Sequence, residues 1–267
     1  MDQPILVTGG TGNLGRALVP LLVDAGHTVR VLSRSPQRPR DGVEYLIGDL
    51  ESGQGIDAAV SGVETVIHGA GSAKGDSVKA GHLVDSLIRA GAVRHLVYIS
   101  VVGADTTPFA SRIDRATLGY FEEKRKSELI IASSGIPFTT LRATQFHDFI
   151  AAFAELGMKL PVIPTFATFS YQPVDVREVA ERLVELSLGE ASGFVPAIGG
   201  PRIYPMEDLV RSYVRATGHR RLILPMHIPG KAAKAQRDGA NLAPDRTVGR
   251  RTFEEFLIEK QEGCLQS

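Results

Sequence analysis

Tyr120 and Lys124 stand four residues apart in Gly119-Tyr120-Phe121-Glu122-Glu123-Lys124, so on a helix they share one face. An ammonium beside a phenol stabilises the phenolate and lowers the phenol's pKa toward the working range of a general acid or base. Such a pair can protonate a developing alkoxide. The same charges also suit a solvated helix face, with Lys124 paired to Glu128 and Glu122 to Lys126. Position favours the chemical reading, because the pair opens the helix that follows the apolar run His95–Ile99.

A second group is built for phosphate. Ile5-Leu6-Val7-Thr8 runs into Gly9-Gly10-Thr11-Gly12-Asn13-Leu14-Gly15, and an amphipathic segment follows at once. Gly10, Gly12 and Gly15 fit the spacing G-x-G-x-x-G, at which a dinucleotide pyrophosphate sits on a helix N-terminus. One glycine makes the turn, one lets backbone N–H groups approach the phosphate, and one lets helix and strand pack closely. The whole loop from Gly9 to Gly15, with Thr11, Asn13 and Leu14 between its glycines, is the expected cradle.

The next strand indicates which dinucleotide. A site for NAD places Asp or Glu at its end, to accept from the ribose 2′-hydroxyl. Here the chain reads Val29-Arg30-Val31-Leu32-Ser33-Arg34-Ser35, with no carboxylate from Thr28 to Arg40. Arg34 stands where the 2′-phosphate of NADP(H) would lie, and Ser33, Ser35 and Arg38 add donors. Asp49 and Leu50 follow the third strand and are candidates for the adenine pocket; Asp49 equally suits a helix cap. Gly69, Ala70 and Gly71 follow the fourth strand and are small where the cofactor must pass. His68 reads as a strand-end packing residue.

These groups need a scaffold. Short apolar runs at Ile5–Val7, Thr28–Leu32, Glu44–Ile47, Thr65–His68, His95–Ile99 and Phe138–Leu141 alternate with helical patterns. The helices are Leu14–Ala25, Ile56–Val60, Ser77–Ala90 and Leu118–Ala132. Such alternation predicts an α/β fold, a Rossmann-like, doubly wound parallel sheet covered on both faces, with ligands beyond the carboxyl ends of its strands. Past Ala143 the pattern predicts a helix and an irregular loop, then a helix Val176–Leu188 with Asp175 as its N-cap. A strand near Phe194–Ile198, a helix Met206–Ala216, a strand near Arg221–Leu224 and a helix Thr252–Glu259 follow. The expected organisation is one dinucleotide-binding domain. Its core spans about 1–145 and 172–200, with a small substrate lobe from 146–171 and 201–260.

Taken together, these segments resemble the short-chain dehydrogenases/reductases, most closely their atypical NmrA-like, NAD(P)H-binding branch. The resemblance is carried by the loop Thr8–Gly15, Gly48-Asp49-Leu50, His95–Ser100 and the Tyr120/Lys124 segment. Leu141-Arg142-Ala143-Thr144-Gln145-Phe146 and Gln172-Pro173-Val174-Asp175-Val176 extend it to roughly residues 4–190. It implies a lysine on the nicotinamide ribose, here Lys124, and a substrate cleft beside the small lobe. It also admits a homodimer. One departure stands out: about a dozen residues before the tyrosine, where better-known members carry a serine, this chain has Thr106-Thr107-Pro108. Ser100, at the end of its strand, is the candidate third catalytic group, with Thr107 and Ser111 as alternatives.

The substrate wall is expected at Gln145, Phe146, His147 and Phe149, which follow the sixth strand in an aromatic-rich stretch. Individually the phenylalanines also suit core packing. The 267 residues are 43% hydrophobic, and 30 basic balance 30 acidic residues, which points away from nucleic acid and acidic membranes as partners. The single cysteine, Cys264, excludes an internal disulfide. No signal-like segment follows Asp2, no apolar stretch is of bilayer length, and the histidines show no metal-ligand spacing. The expectation is a cytoplasmic, metal-free reductase that uses NADP(H) on a small, largely apolar carbonyl, quinone or conjugated acceptor. The alternatives are a non-catalytic NADP(H) sensor and a nucleotide-sugar epimerase or dehydratase.

Overall fold

The first apolar run forms β1 (Ile5–Thr8), with all four residues buried, and the glycine loop delivers it into α1 (Asn13–Asp24). Alternation continues through β2 (Val29–Ser33), β3 (Val43–Ile47), α2 (Ile56–Val60), β4 (Thr65–His68) and α3 (Asp76–Ala90). Next come β5 (His95–Val101), α4 (Arg112–Ala132), β6 (Phe138–Ala143), α5 (His147–Met158), β7 (Val162–Phe166) and β8 (Ser170–Tyr171). The chain closes with α6 (Val176–Leu188), β9 (Gly193–Phe194), β10 (Tyr204–Pro205), α7 (Met206–Ala216), β11 (Leu222–Met226), α8 (Lys231–Arg237) and α9 (Phe253–Leu265). This computed structural model describes residues 3–72 and 74–265, the side chains of 263–265 excepted, so that of Cys264 lies outside the described residues.

Seven strands form one sheet in the order β3-β2-β1-β4-β5-β6-β9. β1 pairs in parallel with both β2 and β4, so the strand order reverses between β1 and β4. That reversal is the switch point at which sheets of this class bind ligands, and the doubly wound Rossmann-like sheet is present as expected.

The chain divides into two compact units. The first comprises 1–100, 119–142 and 177–196; the second comprises 101–118, 143–176 and 197–267. In the first, Leu6, Val66, Leu96 and Tyr98 of the sheet pack with Ile56, Leu83, Leu87 and Ile131 of its helices. In the second, Ile150, Phe169, Leu209, Tyr213 and Phe253 form a separate core. Among the described residues no helix is long and apolar enough to cross a membrane.

Several elements differ from the sequence expectation: β8 and β10 are additions, and β9 is shorter than the strand expected near Phe194–Ile198. α4 begins at Arg112 rather than Leu118, because Ser111 and Asp114 cap it reciprocally. The Asp114 carboxylate accepts from the Ser111 N–H at 2.9 Å, and the Ser111 hydroxyl accepts from the Asp114 N–H at 3.1 Å. Leu118, at φ −130°, is the kink between its two parts. The supposed loop around Pro161 and Pro164 contains β7, which pairs in parallel with β11. A two-stranded sheet leaves each strand one open edge, where the missing proline N–H is tolerated. Helix α8 was not foreseen; its Ala232 N–H donates to Asp114 Oδ1 at 2.9 Å.

Candidate functional site

The glycine loop has the shape that a bound diphosphate needs. Gly9 holds φ +74°, and a Cβ there would lie 2.7 Å from the Ala70 nitrogen. A Cβ on Gly10 would come within 2.8 Å of Val31, and one on Gly15 within 2.3 Å of the Gly9 carbonyl oxygen. Gly9 therefore makes the turn, Gly10 admits β2, and Gly15 brings α1 against the loop. Gly12 is the N-cap of α1; no side chain caps it and no acidic residue occupies the first turn. Thr11, Gly12 and Asn13 are exposed while Leu14 is buried. An open helix N-terminus with its N–H groups unclaimed by a side chain suits a phosphate, so the loop fits a dinucleotide.

At the end of β2, Ser33 is buried. Its hydroxyl donates to the Ser35 carbonyl at 2.8 Å and accepts from Gln37 at 3.1 Å. Arg34 and Arg38 are exposed, and neither is tied into an ion pair among the described residues. Ser33 thus shapes the loop that presents the two guanidiniums. Asp49 caps no helix: its carboxylate accepts from the Glu51 N–H at 2.9 Å, and α2 starts beyond Gly55. Leu50 belongs to the apolar core. Gly69 and Ala70 approach the first strand, with the Gly69 N–H donating to the Thr8 carbonyl at 3.0 Å.

His68 is a packing residue, as its position implied. Its Nδ1 lies 2.7 Å from the Thr8 hydroxyl, and its ring stacks on Tyr98 at 5.3 Å. Burial, reinforced by the ammoniums of Lys124 and Lys79, pushes its pKa down to about 3, so the ring stays neutral.

Tyr120 and Lys124 do share a face of α4. The tyrosine is 37% exposed while Lys124 is buried, its ammonium 5.8 Å from the Tyr120 ring centre and 5.2 Å from that of Tyr98. The solvated-face pairing of Lys124 with Glu128 does not occur. Glu128 is bound by Arg142 and Arg125, whereas the other expected pair, Glu122 with Lys126, is present at 3.9 Å, and Lys126 also meets Glu123 at 2.9 Å. Lys124 instead meets Asp76 Oδ2 at 3.2 Å and donates to the Ile99 carbonyl at 3.3 Å. Burial works against the ammonium, but the phenols of Tyr98 and Tyr120 and the Asp76 carboxylate outweigh it and hold its pKa above the ordinary lysine range. Sequence reasoning missed Asp76. Its signal was an acidic residue opening the helix that follows Gly69-Ala70-Gly71.

Ser100 is buried on β5, its hydroxyl beside the Glu128 carboxylate and without a well-formed hydrogen bond. Thr107 accepts from Gln236 at 3.0 Å, and Ser111 is a helix cap. The four candidate substrate residues divide. Gln145 is buried, donating to the Asn241 carbonyl and accepting from the Gln172 N–H. His147 is wholly buried against Phe253 and Phe256, with Nε2 on the Pro173 carbonyl at 3.1 Å. These contacts all lie within the second unit. Phe146 is half-buried and Phe149 exposed. Asp175, immediately before α6, binds Arg251 at 2.6 Å.

Residues 9–186 match a family described as NAD(P)H-binding. The chain is 29% identical over 222 residues to (4-alkanoyl-5-oxo-2,5-dihydrofuran-3-yl)methyl phosphate reductase of Streptomyces griseus, covering 80% of this chain and 74% of that protein. It is 28% identical to quinone oxidoreductase 2 of Escherichia coli over 58% of this chain and 53% of that one. Several other curated relatives are likewise matched over less than two thirds of their length. Among solved structures, an NADPH-dependent quinone oxidoreductase from Escherichia coli, complexed with NADPH, superimposes with a TM-score of 0.78 at 17% identity. That likeness covers 96% of this chain and 99% of the other. A Thermus thermophilus UDP-glucose 4-epimerase in complex with NAD gives 0.71 at 20% identity, covering 97% and 99%. Both likenesses concern the fold.

Proposed function

Since the chain belongs to the NAD(P)H-binding family, we propose that it is an NADPH-dependent oxidoreductase acting on a small, largely apolar carbonyl, quinone or conjugated acceptor. One observation carries this reading: an exposed phenol, Tyr120, beside a buried ammonium, Lys124, that is held in its charged form. NADPH, when bound, supplies the hydride. Tyr120 then donates a proton to the oxygen of the reduced acceptor, and Lys124 stabilises the phenolate left behind. The glycine loop from Gly9 to Gly15 holds the diphosphate. Arg34 and Arg38 take the 2′-phosphate, since the β2 end offers no carboxylate for a free ribose hydroxyl. The reductase names among the relatives support this choice. The protein works on a small molecule in the cytoplasm.

A cofactor sensor without turnover is the second reading. The observation favouring it is the burial of Ser100 against Glu128, while among the described residues no serine or threonine hydroxyl bonds to the Tyr120 phenol. NADPH absorbance, followed against a panel of quinones, aldehydes, ketones, imines and enones, separates the two. Oxidation with at least one acceptor is expected. Tight NADPH binding with no oxidation across the panel identifies a sensor. Calorimetry without heat from any nicotinamide nucleotide removes both readings.

A further inference from the structure

Asp76 opens α3, one strand and one loop away from the glycine cradle, and it is almost wholly buried. Every polar contact of its carboxylate leads toward Lys124 or braces that approach. Oδ2 lies 3.2 Å from the Lys124 ammonium. Oδ1 accepts from the Ser72 N–H at 2.6 Å and from the Ser72 hydroxyl at 3.2 Å. Lys79 stands 3.9 Å from Oδ1 and donates to the same Ser72 hydroxyl. Both partners of the central pair are buried, with side-chain exposures of 6% and 2%. A pair so placed loses its hydration, and apolar residues of equal volume would serve stability as well or better. Its place beside the Tyr120 ring points to a use other than stability.

Gly71 supplies an independent mark. A Cβ there would lie 3.1 Å from the Lys124 ammonium and 3.3 Å from Asp76 Oδ2. The chain is bare at the point where a side chain would crowd this pair.

We propose that Asp76 is a positioning residue, anchoring the Lys124 ammonium between its carboxylate and the Ile99 carbonyl so that the charge stays beside Tyr120. The proposal rests on the reading of Tyr120 and Lys124 as the proton-donating pair. The carboxylate does not touch the reacting atoms; it acts through the lysine. A lysine has a long flexible stem, and a carboxylate on one side with an accepting carbonyl on the other confines its head group where one alone would not. The titratable groups around the pair are Tyr98 on β5, His68 on β4, Lys79 on α3 and Tyr120 on the lysine's own helix. Asp76 brings a negative charge to the ammonium itself, while the Glu123 carboxylate, next to Lys124 in the chain, is held by the Ser77 N–H and hydroxyl and by Lys126.

Asp76→Asn keeps the volume of the side chain and removes its charge. Its first readout needs no turnover: the side-chain ammonium resonance of Lys124 in the 15N-labelled protein, assigned by its absence in Lys124→Arg. A buried, anchored ammonium gives a resolved signal in the wild type, and it is expected to move or vanish in Asp76→Asn. The second readout is NADPH oxidation. The kcat is expected to fall roughly tenfold or more, the size of one lost buried ion-pair contact, with the acceptor KM changing little. If Asp76→Asn fails to fold, Gly71→Ala presses on the pair without removing a charge and should shift the same resonance. An unmoved Lys124 signal in the folded variant overturns the proposal, as does a kcat within twofold of wild type. A wild type that oxidises NADPH with no acceptor defeats the reading of the reaction, while the ammonium signal still decides whether Asp76 holds Lys124.

Discussion

Glu128 and Arg142 meet through two parallel hydrogen bonds, Nε to Oε1 and Nη2 to Oε2, each 2.8 Å long. Arg125 adds a third at 2.9 Å. This clamp occupies the carboxylate one helical turn beyond Lys124 and leaves the lysine to Asp76. Arg142→Leu removes the fork and leaves a fully buried carboxylate with Arg125 as its remaining strong partner. The expected loss of stability is about 3 kcal/mol, as for breaking a buried ion pair. Urea unfolding measures it, and a midpoint unchanged from wild type would show that Arg125 suffices.

Acid should act through the same carboxyl. Burial alone would raise the pKa of Glu128, but Arg142 and Arg125 outweigh it and hold it below the usual glutamate range. A depressed folded-state pKa contributes stability that is present above the unfolded pKa and is lost as pH falls through the folded one. Glu128→Gln should therefore narrow the difference in stability between neutral and acid pH. Thermal melts of both proteins across that range measure the difference, and parallel curves would contradict it.

The cradle can be tested at Gly15. Adding a methyl there forces a contact of 2.3 Å with the Gly9 carbonyl oxygen, so the loop and α1 must separate. Overpacking of this kind costs roughly 1–3 kcal/mol. Gly15→Ala is expected to lower the melting temperature and to weaken NADPH at least about tenfold, the worth of one misplaced charge-assisted contact. Gly62→Ala, at a glycine with open space around it but a positive φ, controls for backbone strain alone. Its NADPH affinity should match wild type.

Under the proposed function, Arg34 selects the cofactor. Arg34→Asp replaces a phosphate partner by a like charge, and roughly a 100-fold loss of NADPH affinity is expected, with NADH affected far less. Competitive titration with both nucleotides gives the ratio. Equal losses would move the 2′-phosphate site elsewhere.

Under the proposed function, Tyr120 donates the proton. Tyr120→Phe keeps the ring beside Lys124 and removes only the hydroxyl, so the NADPH dissociation constant should stay within about twofold while turnover falls at least 100-fold. Single-turnover kinetics separate the two. Unchanged turnover would leave the phenol without a chemical part.

Local pattern was enough wherever neighbours in the chain decide the outcome. The alternation of short apolar runs with amphipathic segments identified the parallel sheet, because burial on both faces demands such runs. The turn from β1 into α1 was equally plain, since only glycine tolerates the approach of Gly15 to Gly9 and the positive φ of Gly9. The missing carboxylate after Leu32 needed no coordinates either. Even α4's true start was written in Ser111 and Asp114, at capping spacing, though the apolar periodicity drew attention to Leu118 instead.

What the chain order could not decide were partners far apart in sequence. Lys124 lies one turn from Glu128, and a helical wheel pairs them; the tertiary structure gives Glu128 to Arg142 and Lys124 to Asp76. Helix α8 is too short to announce itself, and its first turn is met by Asp114, 118 residues upstream. Gln145 and His147 follow a strand end, and only the folded second unit shows that both are buried there, Gln145 meeting Asn241 and His147 meeting Phe253. Periodicity reports which face of an element is buried. Which charge meets which, and which polar group is buried for support rather than chemistry, depends on contacts that exist only after the chain has folded back on itself.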